Sequence, residues 1–331
     1  MRPIIAMLLS MAFTMADARS IAPVGVLHDV AFDQYSSLSS VGELRARLFS
    51  PLTVRRLGAT SSPQAQTIDL AREHFDLYVP KRTPQTGYGV LVFIPPWDNA
   101  VVPPQWIDAL DRHGLIFVSA AKSGNDANVM ERREPLALLA AYNVQKKYPV
   151  DTSRIYVGGF SGGSRVAERL ALAYADLFRG ALLNAGSDPI GTHEIPLPAT
   201  DRFERFQTSS RLVYFTGKDD AHHLDMDRRS QDSMRAWCVF DLASVVVPWS
   251  GHETPGAAAF GRALDALDEH QPADPEKLAA CRVRYTSELK DDIDQTRALM
   301  LKGNRAESTS RLLKIDARFG GLAAPYFDSA N

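Results

Sequence analysis

Between an apolar run and a helical pattern the chain places Gly158-Gly159-Phe160-Ser161-Gly162-Gly163-Ser164, a serine crowded by glycines. Arg154-Ile155-Tyr156-Val157 before it is β-branched and apolar, as in a short buried strand. After it, Val166, Leu170, Ala173 and Tyr174 fall on one helical face. A serine at such a strand-to-helix junction occupies a sharp, strained turn, which needs small residues two before and two after because strand and helix approach closely. Gly159 and Gly163 fill both places. The simplest alternative is a glycine-rich turn that only binds an anion at a helix N-terminus.

Around this turn the chain alternates strands and helices. Phe75, Leu77 and Val79 alternate as in a half-exposed strand, and Gly89 to Ile94 is a continuous apolar run of the kind that fills a central parallel strand. Pro103-Pro104 can start a helix through Trp106, Leu110 and His113. Leu115 to Ala120 predicts a strand, Pro135 to Tyr148 a helix, Gly180 to Asn184 and Arg211 to Thr216 two further strands. A helix around Met226 to Phe240 leads to a last strand, Ala243 to Val247, and Pro255 opens a closing helix with Phe260, Leu264 and Leu267 on one face. This alternation predicts an α/β chain with a doubly wound, mostly parallel sheet, in which ligands bind beyond the carboxyl ends of the strands.

Four segments follow from the pattern. Residues 1–18 read as a secretory signal peptide: a basic start, an apolar stretch too short for a bilayer, and Ala16-Asp17-Ala18 as a small-x-small cleavage site. Residues 19–70 offer one helix, near Val41 to Leu48, and no legible role. Residues 71–272 form the sheet domain, with 187–210 a possible cap or substrate-shaping insertion that lacks clear periodicity. Residues 273–331 turn to charged helix: Leu289, Ile293, Leu299 and Leu301 mark one helix, and Leu312, Leu313 and Ile315 a second after Gly303-Asn304. Such a helical hairpin cannot bury its own apolar face and must dock on the main domain.

The signal peptide implies a secreted or periplasmic protein, and no later stretch is apolar enough for a membrane span. In that compartment the two cysteines, Cys238 and Cys281, are expected to pair, with two separately buried thiols as the alternative. Lys plus Arg number 37 against 39 Asp plus Glu, and a net charge of -2 gives no electrostatic reason to expect nucleic acid. A neutral or mixed molecule is the expected partner.

A serine hydroxyl becomes a nucleophile when a base takes its proton and a carboxylate fixes that base's tautomer. Asp219 and Asp220 follow one strand, and His252 follows the next. Of eight histidines, His252 alone stands after the final strand beside a glycine, Gly251, that lets its loop bend toward the serine; His222 and His223 share the acid's own loop, which hampers either as the base. Asp219, Asp220, His222, His223, Asp225 and Asp227 also admit a metal-cluster reading, although a solvated acidic loop accounts for most of them. An oxyanion needs two backbone N–H donors. Gly162 supplies one, and because Pro95 and Pro96 have no N–H, Trp97 is the first residue after the Gly89 to Ile94 strand that can supply the other. The alternative for Trp97 is a ring that only lines the pocket.

Taken together, residues 73–268 resemble the secreted α/β-hydrolase esterases grouped with polyhydroxybutyrate depolymerases, feruloyl esterases and acetylxylan esterases. The resemblance is carried by Phe75-Asp76-Leu77-Tyr78-Val79-Pro80, the run from Asp151 to Gly163, Gly217-Lys218-Asp219-Asp220 and Gly251-His252. Ser161, an acid from the Asp219-Asp220 pair and His252 stand in that fold's chain order. Related hydrolases place the acid three residues after a strand-closing glycine, so the resemblance points from Gly217 to Asp220. It implies a serine hydrolase acting on small-molecule or polymeric esters through an acyl-enzyme, without metal or organic cofactor. A serine peptidase of the same fold and a noncatalytic binding protein are the rival readings. Pro95-Pro96 stands where the family usually has a His-Gly pair.

Overall fold

Eight strands make one sheet in a computed structural model that describes residues 22–328; the signal-peptide stretch, 1–18, lies outside the described residues. The strands are β1 (Gly25–Val30), β2 (Phe75–Val79), β3 (Tyr88–Ile94), β4 (Leu115–Ala120), β5 (Val150–Phe160), β6 (Gly180–Asn184), β7 (Arg211–Gly217) and β8 (Leu242–Val247). They lie in the order β1-β2-β4-β3-β5-β6-β7-β8. Only β2 runs against the others: it pairs antiparallel with β1 and β4, and every remaining pair is parallel. That order, with a serine turn directly after β5, is the α/β-hydrolase fold.

The continuous apolar runs fill the middle because both of their faces are covered. On one face pack α4 (Glu134–Lys147) and α5 (Gly162–Ala173), through Leu136, Leu139, Val166 and Leu170. On the other pack α3 (Ile107–His113) and α8 (Ala257–Asp268). There Trp106 stacks on Phe260 with ring centroids 4.1 Å apart, and its indole N–H donates to Pro255 O at 2.9 Å, so the apolar ring is buried with its one donor satisfied. Truncating such a residue costs about 3–5 kcal/mol.

Three sequence expectations change. The strand at 75–79 is buried at every position rather than half exposed, because β1 lies along its edge: Asp76 meets His28 Nδ1 at 2.7 Å, and Tyr78 O–H donates to Asp111 at 2.7 Å. Residues 19–70 therefore hold part of the sheet, together with α1 (Val41–Leu48) and α2 (Pro51–Leu57). Within 187–210, residues 200–209 are α6 (Thr200–Ser209), the crossover helix from β6 to β7, which buries Phe203, Phe206 and Gln207; only 187–199 stay irregular. Their pattern is faint because the buried stripe is one residue wide within a charged decapeptide.

After β7 comes α7 (Ala221–Ala236), which starts five residues earlier than Met226. The C-terminal hairpin is α9 (Pro275–Leu301) and α10 (Arg305–Phe319). Leu289, Ile293 and Ile315 face inward, whereas Leu301 is 91% exposed and Leu313 is exposed, since helix rotation carries both off the docked face. The hairpin docks through aromatic contacts of Tyr285 and Phe319 with Trp237, at 5.6 Å each. A disulfide joins Cys238 to Cys281. The hairpin also closes over the N-terminal segment: Ser50 Oγ and the Leu52 N–H both donate to Asp316. No helix of the described residues is long and apolar enough to cross a membrane.

Candidate active site

The turn between β5 and α5 holds Ser161 at φ 54° and ψ −122°. A left-handed, non-glycine conformation of this kind costs on the order of 1–3 kcal/mol and persists only where the surroundings over-determine it. Here the Ser161 N–H donates to Asn184 O at 2.8 Å, and the buried Ser164 donates its hydroxyl to Gly186 O at 2.5 Å. The flanking glycines are required by close approach. A Cβ on Gly159 would stand 2.3 Å from the Gly163 carbonyl carbon, and one on Gly163 would stand 1.9 Å from Ile94 O. Side chains at either place would drive strand, turn and helix apart.

His252 and Asp220 reach this serine from the ends of β8 and β7. The two loops touch: Asp219 N–H donates to Ser250 O at 2.9 Å, and Gly217 lies so close to the Ser250 and Gly251 carbonyls that a Cβ there would clash at 2.3–2.4 Å. His252 Nδ1 is 2.7 Å from Asp220 Oδ2, and its Nε2 is 3.0 Å from Ser161 Oγ. A carboxylate can only accept, so Nδ1 carries the proton and Nε2 is free to accept from the serine hydroxyl. Burial alone would raise the Asp220 carboxyl pKa, yet the hydrogen bonds from His223 and His252 outweigh it and hold the group below its ordinary value. Asp220 is also the N-cap of α7, where the helix dipole favours a negative charge. Asp219 is exposed.

The loop after β3 is tied down through its carbonyls. Arg133, buried, donates from Nη2 to Pro95 O at 3.0 Å and from Nε to Ser123 O at 2.9 Å; Asn125 N–H donates to Pro96 O at 3.0 Å. Desolvation lowers the Arg133 pKa, partly opposed by the charge of Glu134. Trp97 is half-buried, its ring tilted against Phe160 at 6.1 Å, and its N–H has no hydrogen-bond partner among the described residues. Gly162 opens α5, so its N–H is among the helix's unpaired donors. A cavity of about 420 Å³ adjoins Gly162, walled by Asn125, Val166, Arg165 and, from the irregular 187–199 stretch, Asp188 and Ile195. A larger cavity of about 870 Å³ lies at the opposite ends of the strands, beside Ser153, Arg179 and Arg211, away from the serine.

Two neighbours of the histidine escaped the sequence reading. Phe160 stacks on one face of His252 at 4.8 Å and His223 on the other at 4.1 Å; His223 Nδ1 is also 2.8 Å from Asp220 Oδ1. The signal for His223 was its place three residues after an aspartate that caps a helix, which could be read only once α7 was known to begin at Ala221. The six residues of the metal-cluster reading disperse. Asp225 pairs with Arg228 and Arg229, Asp227 accepts from Ser187 and Thr216, and Asp219 and His222 are exposed. Asp220, His223 and His252 do present atoms within 4.8 Å of one another and could hold an ion at the expense of the hydrogen bonds just described.

No protein-family model and no curated protein matches this chain. Among solved structures it is similar to a ferulic acid esterase, at 18% identity over 58% of this chain and 89% of that one, with a TM-score of 0.39. It is similar to S-formylglutathione hydrolase from Staphylococcus aureus, at 13% identity over 58% and 89%, TM-score 0.43. A poly(3-hydroxybutyrate) depolymerase from Bordetella parapertussis gives 18% identity over 63% and 88%, TM-score 0.42. These likenesses are loose, and the fold assignment rests on the strand order.

Proposed function

We propose that this chain is a serine hydrolase that cleaves carboxylic esters through an acyl-enzyme. The observation that carries the reading is the unbroken hydrogen-bonded line from Ser161 Oγ through both nitrogens of His252 to Asp220, beginning on a strained residue at the carboxyl end of β5.

In this reading Ser161 Oγ attacks the ester carbonyl as His252 Nε2 takes its proton. Asp220 holds Nδ1–H and stabilises the imidazolium that forms. The carbonyl oxygen gains the negative charge and is met by the Gly162 and Trp97 N–H groups. Collapse breaks the bond to the alcohol oxygen, which receives the proton from His252 and leaves as neutral alcohol. Water then repeats the sequence on the acyl-serine, releasing the acid. The reaction so written draws on no cofactor. Residues 1–18 and the Cys238–Cys281 bridge support a secreted or periplasmic location.

Ser161→Ala is expected to lower kcat on a short-chain p-nitrophenyl ester by on the order of 10⁴ to 10⁶-fold and to abolish labelling by a fluorophosphonate probe. A folded variant that keeps more than about a tenth of wild-type turnover would remove the mechanism. Comparison with the corresponding p-nitroanilide separates an esterase from a peptidase. A wild-type protein that neither turns over nor takes the probe is a noncatalytic binding protein.

A further inference from the structure

We propose that Asn125 is a catalytic residue of this hydrolase: its side-chain amide is a third hydrogen-bond donor to the oxygen that becomes negative when Ser161 attacks. The inference rests on the serine hydrolase reading above and adds to it a group that no motif marks.

The use for a further donor begins in the sequence. Pro95 and Pro96 carry no N–H, so the loop after β3 offers its first backbone donor at Trp97. The loop after β4 is bolted to that segment. Lys122 N–H donates to Asp98 O at 2.5 Å, Gly124 N–H to Asp98 Oδ1 at 3.2 Å and Asn125 N–H to Pro96 O at 3.0 Å. Gly124 is pressed on the Trp97–Asp98 peptide, where a Cβ would stand 2.9 Å from the Trp97 carbonyl carbon. Arg133 joins the same two loops through Pro95 O and Ser123 O. The backbone of Asn125 is therefore fixed to the segment that presents the Trp97 N–H.

Its side chain reaches the other donor. A Cβ on Gly162 would stand 2.3 Å from Asn125 Oδ1, 3.0 Å from its Cγ and 3.2 Å from Nδ2, so the amide lies against the residue that follows the nucleophile. Asn125 thus bridges the two segments whose N–H groups meet the carbonyl oxygen, in the wall of the cavity beside Gly162. It is exposed, and among the described residues neither end of its amide has a hydrogen-bond partner. An untied amide can present either its oxygen or its NH2, and a negative charge growing beside it selects the NH2. The bond strengthens as that charge develops, so its effect belongs in kcat rather than in KM.

The test compares Asn125→Ala and Asn125→Asp with wild type on p-nitrophenyl acetate, whose acyl group is too small to draw on the rest of the cavity. Each protein is measured at its own pH plateau, with its Tm as the check on folding. Asn125→Ala is expected to lower kcat about 100-fold with KM changed by less than about threefold. Asn125→Asp keeps the shape but sets a negative charge where the donor stood, and should fall further. A side chain that merely walls the cavity would leave Asn125→Asp near wild type, and one that only braces the loops would not rank Asp below Ala. The proposal is overturned if either folded variant keeps kcat within about threefold of wild type, if the loss lies in KM, or if Asp outperforms Ala. A wild type that neither turns over nor takes a fluorophosphonate probe removes the hydrolase reading and this donor with it. An active, labelled wild type with unimpaired variants removes the donor alone.

Discussion

Asp219 and Asp220 are chain neighbours with different surroundings. Asp220 is buried at 8% exposure with two histidines on its oxygens, while Asp219 is exposed and engages the His252 loop only through its backbone N–H. Asp220→Asn is therefore expected to lower kcat by up to about 10⁴-fold, because the histidine can then adopt the wrong tautomer. Asp219→Asn should stay within a few-fold of wild type. Steady-state turnover of one ester by both variants decides between them, and the reverse order would shift the acid by one residue. Ser161, Asp220 and His252 were legible as candidates because each follows a recognisable strand. His223 was not, since its contact with Asp220 requires a helix that starts at Ala221, and the apolar periodicity begins only near Met226. Arg133 was equally hidden: nothing in a sequence announces a guanidinium that braces two loop carbonyls.

Helix α5 starts directly after the serine and carries a buried carboxyl at its middle. Glu168 accepts from the Asp188 N–H at 2.6 Å and from Ser230 Oγ at 2.7 Å, and forms no salt bridge among the described residues. Burial is the main cause that pushes its pKa up to about 8 from 4.5, the two hydrogen bonds opposing it only in part. With the folded value above the unfolded one, Glu168 favours the folded state below about pH 4.5, and this contribution is lost as pH rises through about 8. Glu168→Gln can satisfy the same two partners without a charge, so its Tm relative to wild type should rise between pH 5 and pH 8. Parallel melting curves that keep a constant gap across this range would contradict the assignment. Elements of this kind were legible where burial is two-sided: β3, β4, β6 and β7 read as unbroken apolar runs. β1 was missed because an edge strand buries little, with only Gly25, Leu27 and Val30 partly covered. α6 was missed because Phe203 and Phe206 are its only large buried apolar residues.

At the scale of the whole molecule the sheet domain and the C-terminal hairpin are one packed body. The Cys238–Cys281 bridge spans 43 residues of sequence and crosses from the end of α7 to α9, beside the aromatic contacts of Trp237. For a loop of that length the chain-entropy account gives about 4 kcal/mol of stabilisation. The double variant Cys238→Ser with Cys281→Ser should lose about that much in urea unfolding, and a loss below about 1 kcal/mol would mean that aromatic packing alone holds the hairpin. That the hairpin must dock was legible from its single apolar stripe. Its landing place was not, because the acceptor surface is assembled from α2, α6 and the 187–199 stretch, which are distant in sequence. The same assembly bears on the order in which the protein is completed. The chain emerges N-terminus first from a ribosome or an export channel alike, and the Leu52 N–H, whose acceptor is the Asp316 carboxylate 264 residues later, can find it only after those residues have followed. Helix α2 is thus secured late, well after α1, whose Arg47 already meets Asp176 once the middle of the sheet is made.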